Sequence, residues 1–330
     1  MTPVLAELHE KARAVLDPVH YDFFAGGVGD EVVLAENEAA FRRLALLPRV
    51  LRGGEPRDFG FPVLISPTAF HKLAHPDGEL ATARALNGTV LVSSMASTVP
   101  IADVVAAATG PVWFQLYVQP DFEVTEALVR RAERAGCAAL VITVDSPVFG
   151  RHRRDIEHGF HDLPAGLAAE NMRDLVGAGL RKIEMGAFSW DDVDRICEMT
   201  SLPVWLKGVL HPADTALAAG HGLGIFVSNH GGRQLDLVPA ALDALPAVAD
   251  AVAGRVPVVL DGGVRSGGDV ALALALGASA VGVGRPVLWG LAADGSAGVR
   301  TVLDVLRDEF EHVLAMCGGD LTRDMVVARC

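Results

Sequence analysis

The chain has 330 residues, 51% of them hydrophobic and 21% charged, with a formal net charge of −13. That is enough apolar material for one large α/β domain or two small ones, and too much for a chain that is disordered throughout. The acidic balance excludes the broad basic footprint that nucleic acid or an anionic membrane requires, but allows a local basic pocket for a small acid.

The N-terminal stretch MTPVLAELHEKARAVL carries acids and has no continuous apolar run, so no secretory leader is expected. No stretch is long and apolar enough to span a bilayer. The cysteines (Cys137, Cys197, Cys317, Cys330) form no C-x-x-C pair. Reduced thiols and a cytoplasmic location are the expectation. The histidines include His152, His158 and His161 in one loop, without the matching Cys or carboxylate spacing of a metal site. Neither a Walker loop nor a Rossmann fingerprint follows the first strand.

Residues 1–60 precede the first β-rich run and are expected to form helices that cap the domain. Eight short β-rich runs follow: Val63–Ser66, Val90–Ser93, Val112–Leu116, Ala139–Val144, Val204–Lys207, Gly224–Ser228, Val258–Asp261 and Ala280–Gly284. Ala- and Leu-rich helical stretches lie between most of them, among them Phe122–Ala135, Ala213–Ala219, Pro239–Val252 and Gly268–Leu276. Strand–helix alternation implies a parallel sheet, and eight units suit a (β/α)₈ TIM barrel better than a doubly wound sheet. One domain is expected over residues 1–330. Residues 146–190 make a long connection after the fourth run, a place for a lid or binding loop.

Ser66, Ser93, Gln115, Thr143, Lys207, Ser228, Asp261 and Gly284 sit at the C-terminal ends of the runs, within one residue of the last. A barrel interior is filled with branched apolar side chains, so polar residues gathered at strand ends point to the catalytic face. Tyr117, one of two tyrosines, follows the third run; it is either a donor to a substrate oxygen or a rim aromatic. Asp145, after the fourth, can brace a histidine or form a turn. Lys207 needs a negative partner if it points into the mouth; Schiff-base chemistry and snorkelling are the alternatives. The run Ser228-Asn229-His230-Gly231-Gly232-Arg233-Gln234-Leu235-Asp236 joins a base, a flexible backbone and a planar anion clamp. Asp261-Gly262-Gly263-Val264-Arg265 and Gly282-Val283-Gly284-Arg285 follow or close the last two runs, the usual phosphate-binding place in such a barrel.

These residues resemble the FMN-dependent 2-hydroxy acid oxidase and dehydrogenase family, which includes glycolate, lactate and hydroxymandelate oxidases and mandelate dehydrogenase. The resemblance covers nearly the whole chain. It rests on Tyr21-Asp22-Phe23-Phe24-Ala25-Gly26-Gly27, Ala35-Glu36-Asn37, Ser66-Pro67-Thr68-Ala69, Phe114-Gln115-Leu116-Tyr117, Thr143-Val144-Asp145-Ser146-Pro147, Leu206-Lys207-Gly208-Val209 and the two segments after the sixth and seventh runs.

The resemblance implies roles. Pro67, Thr68, Ala69, Ser93, Gln115, Thr143, Lys207 and Ser228 would line FMN, with Lys207 stabilising the reduced ring. Asp261, Gly263, Arg265, Gly284 and Arg285 would hold its phosphate end. His230 would be the base, braced by Asp145, while Tyr117 and Arg233 grip the substrate. The expected reaction is oxidation of a 2-hydroxy acid to the 2-oxo acid, with oxygen reduced to hydrogen peroxide. Transfer to a quinone or protein, oxidative decarboxylation, and FMN binding without turnover are the alternatives. A homotetramer is the expected assembly.

Two departures bear on the substrate. Phe23 stands where many members have a tyrosine that binds the carboxylate. His152, in Gly150-Arg151-His152-Arg153, takes the register of a second carboxylate-binding arginine. Phe23, Phe24, Met95 and Phe149 could instead wall a larger apolar pocket, which tilts the expectation toward an aromatic, mandelate-like acid.

Overall fold

The computed structural model describes residues 2–51, 57–176 and 183–329. Three helices come first: α1 (Pro3–Val15), α2 (Pro18–Ala25) and α3 (Val32–Arg42). The first two start where a short polar side chain meets proline. Thr2 Oγ1 accepts from the Leu5 N–H at 3.2 Å, and Asp17 Oδ1 accepts from the Val19 N–H at 2.8 Å. A short strand, β1 (Leu44–Leu46), follows.

The barrel strands are β2 (Val63–Ile65), β3 (Val90–Ser94), β4 (Val112–Leu116), β5 (Leu140–Thr143), β6 (Val204–Lys207), β7 (Gly224–Val227), β8 (Val258–Asp261) and β9 (Ala280–Val283). Neighbours pair in parallel, and β2 pairs with β9 to close the ring. Helices α4 (Glu79–Arg84), α5 (Ile101–Ala107), α6 (Phe122–Ala135), α7 (Arg153–Glu157), α8 (Trp190–Met199), α9 (Pro212–Gly220), α10 (Ala241–Val252), α11 (Gly267–Ala275) and α12 (Arg285–Met316) occupy the connections and follow the last strand. This is the (β/α)₈ barrel expected from the strand–helix alternation, with strand bounds within about two residues, the usual spread of such assignments.

A final strand, β10 (Val326–Ala328), pairs antiparallel with β1 and ties the two ends of the chain together. Three-residue strands carry too little periodicity to be read from sequence.

The two faces of the strands have different fates. Ile65, Leu91, Phe114, Leu116, Leu140 and Ile142 pack outward in the main core. Leu64, Val92, Val141, Phe226 and Val259 form a separate inner cluster with Trp113 and Trp205 against it. The two indoles stack at 4.8 Å. A Cβ on Gly224 would sit 2.3 Å from the Trp205 ring, so only glycine leaves room for that indole. This apolar plug closes the barrel below its mouth. Two residues further along each strand, the same inward face presents Ser66, Ser94, Gln115, Thr143, Lys207, Ser228 and Asp261.

Candidate active site

Above the plug, a cavity of about 830 Å³ opens at the C-terminal strand ends, within the usual range for small-molecule and cofactor sites. Its floor is a polar network. Ser94 Oγ donates to Gln115 Oε1 at 2.9 Å, and Gln115 Nε2 donates to Thr143 Oγ1 at 3.0 Å. Lys207 Nζ donates to Ser228 Oγ at 3.1 Å and lies 3.7 Å from Asp261 Oδ2, which also accepts from Ser66 Oγ at 3.2 Å. Asp261 Oδ1 is buried without a hydrogen-bond partner among the described residues.

Ser93 and Ser228 differ from the rest of the expected lining. Neither is on the cavity wall. Strand alternation puts Ser94 beside Val92 on the inner face and turns Ser93 to the other, where its hydroxyl is buried and has no hydrogen-bond partner among the described residues. Of the pair, Ser94 is the serine that lines the cavity. Ser228 is fully buried beneath the mouth, where it orients Lys207 and accepts from the His230 N–H at 3.1 Å.

One end of the cavity is built for an anion. Pro67, Thr68 and Ala69 line it with Gly263, Arg265, Gly284 and Arg285. A Cβ on Gly263 (φ +86°) would meet the Asn37 carbonyl at 2.0 Å, so the β8 loop and the N-terminal cap close together only through glycine. Arg265 pairs with Glu38 at 3.0 Å. Among the described residues Arg285 donates only to main-chain carbonyls, those of Phe24, Gly231 and Gly26 at 2.8–3.0 Å. Burial, with Arg233 and Arg265 adding to it, pushes its pKa down to about 9. A buried guanidinium facing like charges and carbonyls is an electrostatic deficit that a phosphate would fill.

The other end holds the proton-transfer group. His230 has φ +59° and precedes Gly231 (+62°) and Gly232 (+77°). Left-handed backbone at a histidine costs energy and lifts the ring away from the path of β7. Its Nδ1 lies 3.0 Å from Asp145 Oδ1, and its Nε2 lies 3.3 Å from the Tyr117 hydroxyl. Asp145 is not on the cavity wall; it stands behind the imidazole. Gly208 (φ +108°) makes space for it, since a Cβ there would fall 2.5 Å from Asp145 Cγ.

Burial pushes the His230 pKa down, and Lys207 adds to this against the opposing pull of Asp145. Burial opposes the Asp145 charge, but His230 and then Lys207 hold its pKa below the ordinary carboxylate value. Burial, then Asp145, raise Tyr117, so it stays a neutral phenol. The arrangement therefore holds a neutral imidazole, ready to accept a proton, over a carboxylate that would stabilise the charged form.

Arg233 Nη1 donates to the carbonyls of Phe23 (2.8 Å) and Gly26 (2.9 Å), and its guanidinium lies 5.2 Å from the centre of the Phe23 ring. Phe23 also packs against Phe24, Phe70 and Phe160. His152 is on the cavity wall, but both ring nitrogens are engaged: Nε2 with the Arg233 carbonyl at 2.9 Å and Nδ1 with Asp155 Oδ2 at 3.1 Å. It has no free N–H for a substrate carboxylate. Met95 is fully buried and off the wall; its sulfur accepts from the Tyr117 N–H at 3.1 Å, so it positions Tyr117 instead of lining the pocket.

Sequence reading missed Asp155, whose only mark is its place three residues after His152 in a short helix. It also missed the reciprocal amide pair Asn37–Asn229 (2.8 and 2.9 Å), which pins α3 to the β7 loop. The connection 146–190 forms α7 and contributes Phe149, Ile156 and Met185 to the wall; residues 177–182 within it, like Cys330, lie outside the described residues.

The model of the FMN-dependent dehydrogenase family matches residues 12–327. Glycolate oxidase 3 of Arabidopsis thaliana is 46% identical, covering 97% of this chain and 93% of that protein. A 2-hydroxyacid oxidase of Dictyostelium discoideum is 41% identical, covering 95% and 86%. A solved mandelate oxidase in complex with (S)-2-phenylpropionate superposes with a TM-score of 0.88 at 40% identity, covering 98% of each chain. Family match, barrel and anion-binding strand ends agree on the cofactor, and the chain is a member of the FMN-dependent 2-hydroxy acid oxidases.

Proposed function

We propose that this enzyme oxidises an aromatic, mandelate-like 2-hydroxy acid to the 2-oxo acid and passes the electrons to oxygen, releasing hydrogen peroxide. The observation that carries the aromatic reading is the wall beside the base. Phe23, Phe24 and Phe160 pack together, and Phe149 lines the same cavity on the lid side. Burying an aryl ring there would contribute roughly 2–3 kcal/mol, an apolar gain that a glycolate cannot supply. Glycolate oxidases share more identity with this chain, so the argument rests on the wall and not on relatedness.

The residues fit FMN. Arg265 and Arg285 would hold its phosphate with the Gly263 and Gly284 backbone, while Ser94, Gln115, Thr143 and Lys207 would meet the ring. When bound, FMN supplies the two-electron acceptor. His230 Nε2 takes a proton from the hydroxyl-bearing centre, and Asp145 stabilises the resulting imidazolium. Tyr117 and Arg233 hold the substrate oxygens, and Lys207 places positive charge where negative charge develops. Assembly as a homotetramer and residence in the cytoplasm belong to the same proposal, on the family resemblance and the scattered thiols.

The test is the visible spectrum of the purified protein without oxygen during addition of mandelate, lactate and glycolate. Bleaching by mandelate at lower concentration than by the small acids supports the reading, and the reverse order refutes it. With oxygen readmitted, one peroxide per 2-oxo acid separates the oxidase from decarboxylation, which yields carbon dioxide.

A further inference from the structure

Tyr117 stands one residue past the end of β4, so its main chain has left the sheet ladder and must find partners elsewhere. Its N–H donates to Met95 Sδ at 3.1 Å, and sulfur is a weak acceptor. Its carbonyl accepts from Gln119 Nε2 at 3.0 Å, the firmer of the two holds. Gln119 is itself anchored at the start of α6, where Thr125 Oγ1 accepts from its N–H at 2.9 Å.

The same amide makes a second, two-way contact. Gln119 Nε2 also donates to the Glu184 carbonyl at 3.1 Å, and Gln119 Oε1 accepts from the Glu184 N–H at 3.2 Å. A side-chain amide here pairs with a peptide group as a neighbouring strand would. Both amide hydrogens of Gln119 are then committed. The returning arm of the long connection lies close along this turn, since a Cβ on Gly186 would come 3.4 Å from Pro120 Cγ. Tyr117, Ile183, Glu184 and Met185 all line the cavity, whereas Gln119 is buried and stands behind the wall.

We infer that Gln119 is a positioning residue for the reaction: it sets the reach of the Tyr117 hydroxyl and ties it to the wall segment Ile183–Met185. The inference rests on the role given above to Tyr117 in holding a substrate oxygen. The phenol oxygen is at the far end of the ring, 3.3 Å from His230 Nε2, so a small turn of the Tyr117 peptide is magnified where the substrate binds. The job needs an amide. Two buried carbonyls each require a donor and one N–H requires an acceptor, which a carboxylate or an apolar side chain of the same length cannot supply together. Without that amide the peptide groups of Tyr117 and Glu184 lose their partner and must shift to find others.

The experiment is a double-mutant cycle on the FMN-loaded enzyme, read as anaerobic flavin reduction by whichever 2-hydroxy acid bleaches the wild type at lowest concentration. Gln119→Met keeps the length and removes every hydrogen bond of the amide. It should slow reduction by roughly 10- to 100-fold, the scale of a misplaced contact at the reacting centre. In the Tyr117→Phe background, where no hydroxyl is left to misplace, the same substitution should cost less than about threefold. FMN affinity by fluorescence titration should stay within about twofold throughout, because no FMN-binding group changes. Amide exchange read by mass spectrometry should quicken in the peptide spanning Ile183–Met185 in Gln119→Met. Gln119→Asn, which keeps the amide but withdraws it by one methylene, runs the same cycle if Gln119→Met does not fold. Equal slowing in both backgrounds, full activity in a folded Gln119 variant, or unchanged exchange overturns this inference while the oxidation stands. An unslowed Tyr117→Phe overturns the role of Tyr117 and the inference with it. FMN bleached by no 2-hydroxy acid overturns the function proposed above.

Discussion

Asp145 presents one carboxylate oxygen to His230 Nδ1 at 3.0 Å and keeps the other buried without a partner among the described residues. The pair works as a base and its brace, and their environments give the pH dependence its sign. Burial, then Lys207, depress the His230 pKa below its ordinary value of 6.5, while Asp145 pulls it up. The neutral imidazole is the working form, so kcat/KM for flavin reduction should hold through neutral pH and fall as pH drops through a pKa below 6.5. Asp145→Asn removes the upward pull. Its acid limb should move to still lower pH, and the rate at neutral pH should fall by roughly 10²–10⁴-fold, the usual scale for losing general-base assistance. Anaerobic stopped-flow reduction across pH measures both. An acid limb that moves upward in Asp145→Asn would refute this assignment.

Lys207 sits over the apolar plug with one hydroxyl partner at 3.1 Å and a carboxylate at 3.7 Å. The looser ion pair leaves its charge available to the cavity. Lys207→Met should lower the midpoint potential of bound FMN and slow its reduction by roughly 10²–10³-fold, the scale of losing one preorganised electrostatic contact. Spectroelectrochemical titration against a reference dye reads the potential directly. An unchanged potential would mean that Asp261 already neutralises the ammonium.

Arg285 has only carbonyl partners among the described residues, and its charged form is disfavoured by burial and by Arg233 and Arg265. A phosphate relieves that deficit. Arg285→Met should weaken FMN binding by roughly 10- to 150-fold, the equivalent of one charge-assisted hydrogen bond of about 1.5–3 kcal/mol. Fluorescence titration of the apoprotein with FMN gives the constant. Riboflavin, which has no phosphate, should lose little affinity in the same variant.

The barrel was legible because each strand is a short apolar run with a helix-forming stretch before the next, and the mouth was legible because polar residues end those runs. What the run does not carry is finer. Ser93 and Ser94 are both serine at a strand end, and only the pleat decides which faces inward. Met95 and His152 were placed by their neighbours in sequence, whereas the structure commits both to holding another residue: the Tyr117 backbone in one case, the Arg233 backbone in the other. Asp155, on a five-residue helix in the long connection, has no periodic signal. The β1–β10 ladder pairs residues nearly the full chain length apart, a contact that local pattern does not encode.

Gly150 gives the most direct test of how the long connection supports Arg233. Its backbone is not left-handed, so glycine is there for space: a Cβ would lie 2.1 Å from the Arg233 carbonyl oxygen and 3.1 Å from its carbon. Main chain against main chain leaves no flexible end to yield. In Gly150→Ala the Arg233 carbonyl must move, and with it the bond from His152 Nε2 and the direction of the guanidinium. An ångström of misplacement at a charged contact costs about 10²-fold in the productive complex, and most of this should appear in KM for the 2-hydroxy acid. FMN affinity should hold, because Arg285 donates to the carbonyls of Phe24, Gly26 and Gly231 and not to that of Arg233. Gly159→Ala is the control in the same connection: its φ is +63°, but nothing lies within 4 Å of the new Cβ. It carries only the backbone cost of a left-handed alanine, roughly 1–2 kcal/mol, and should leave KM alone. Equal effects of the two substitutions would show that the loop responds to strain in general and that the contact with Arg233 has no special part in binding.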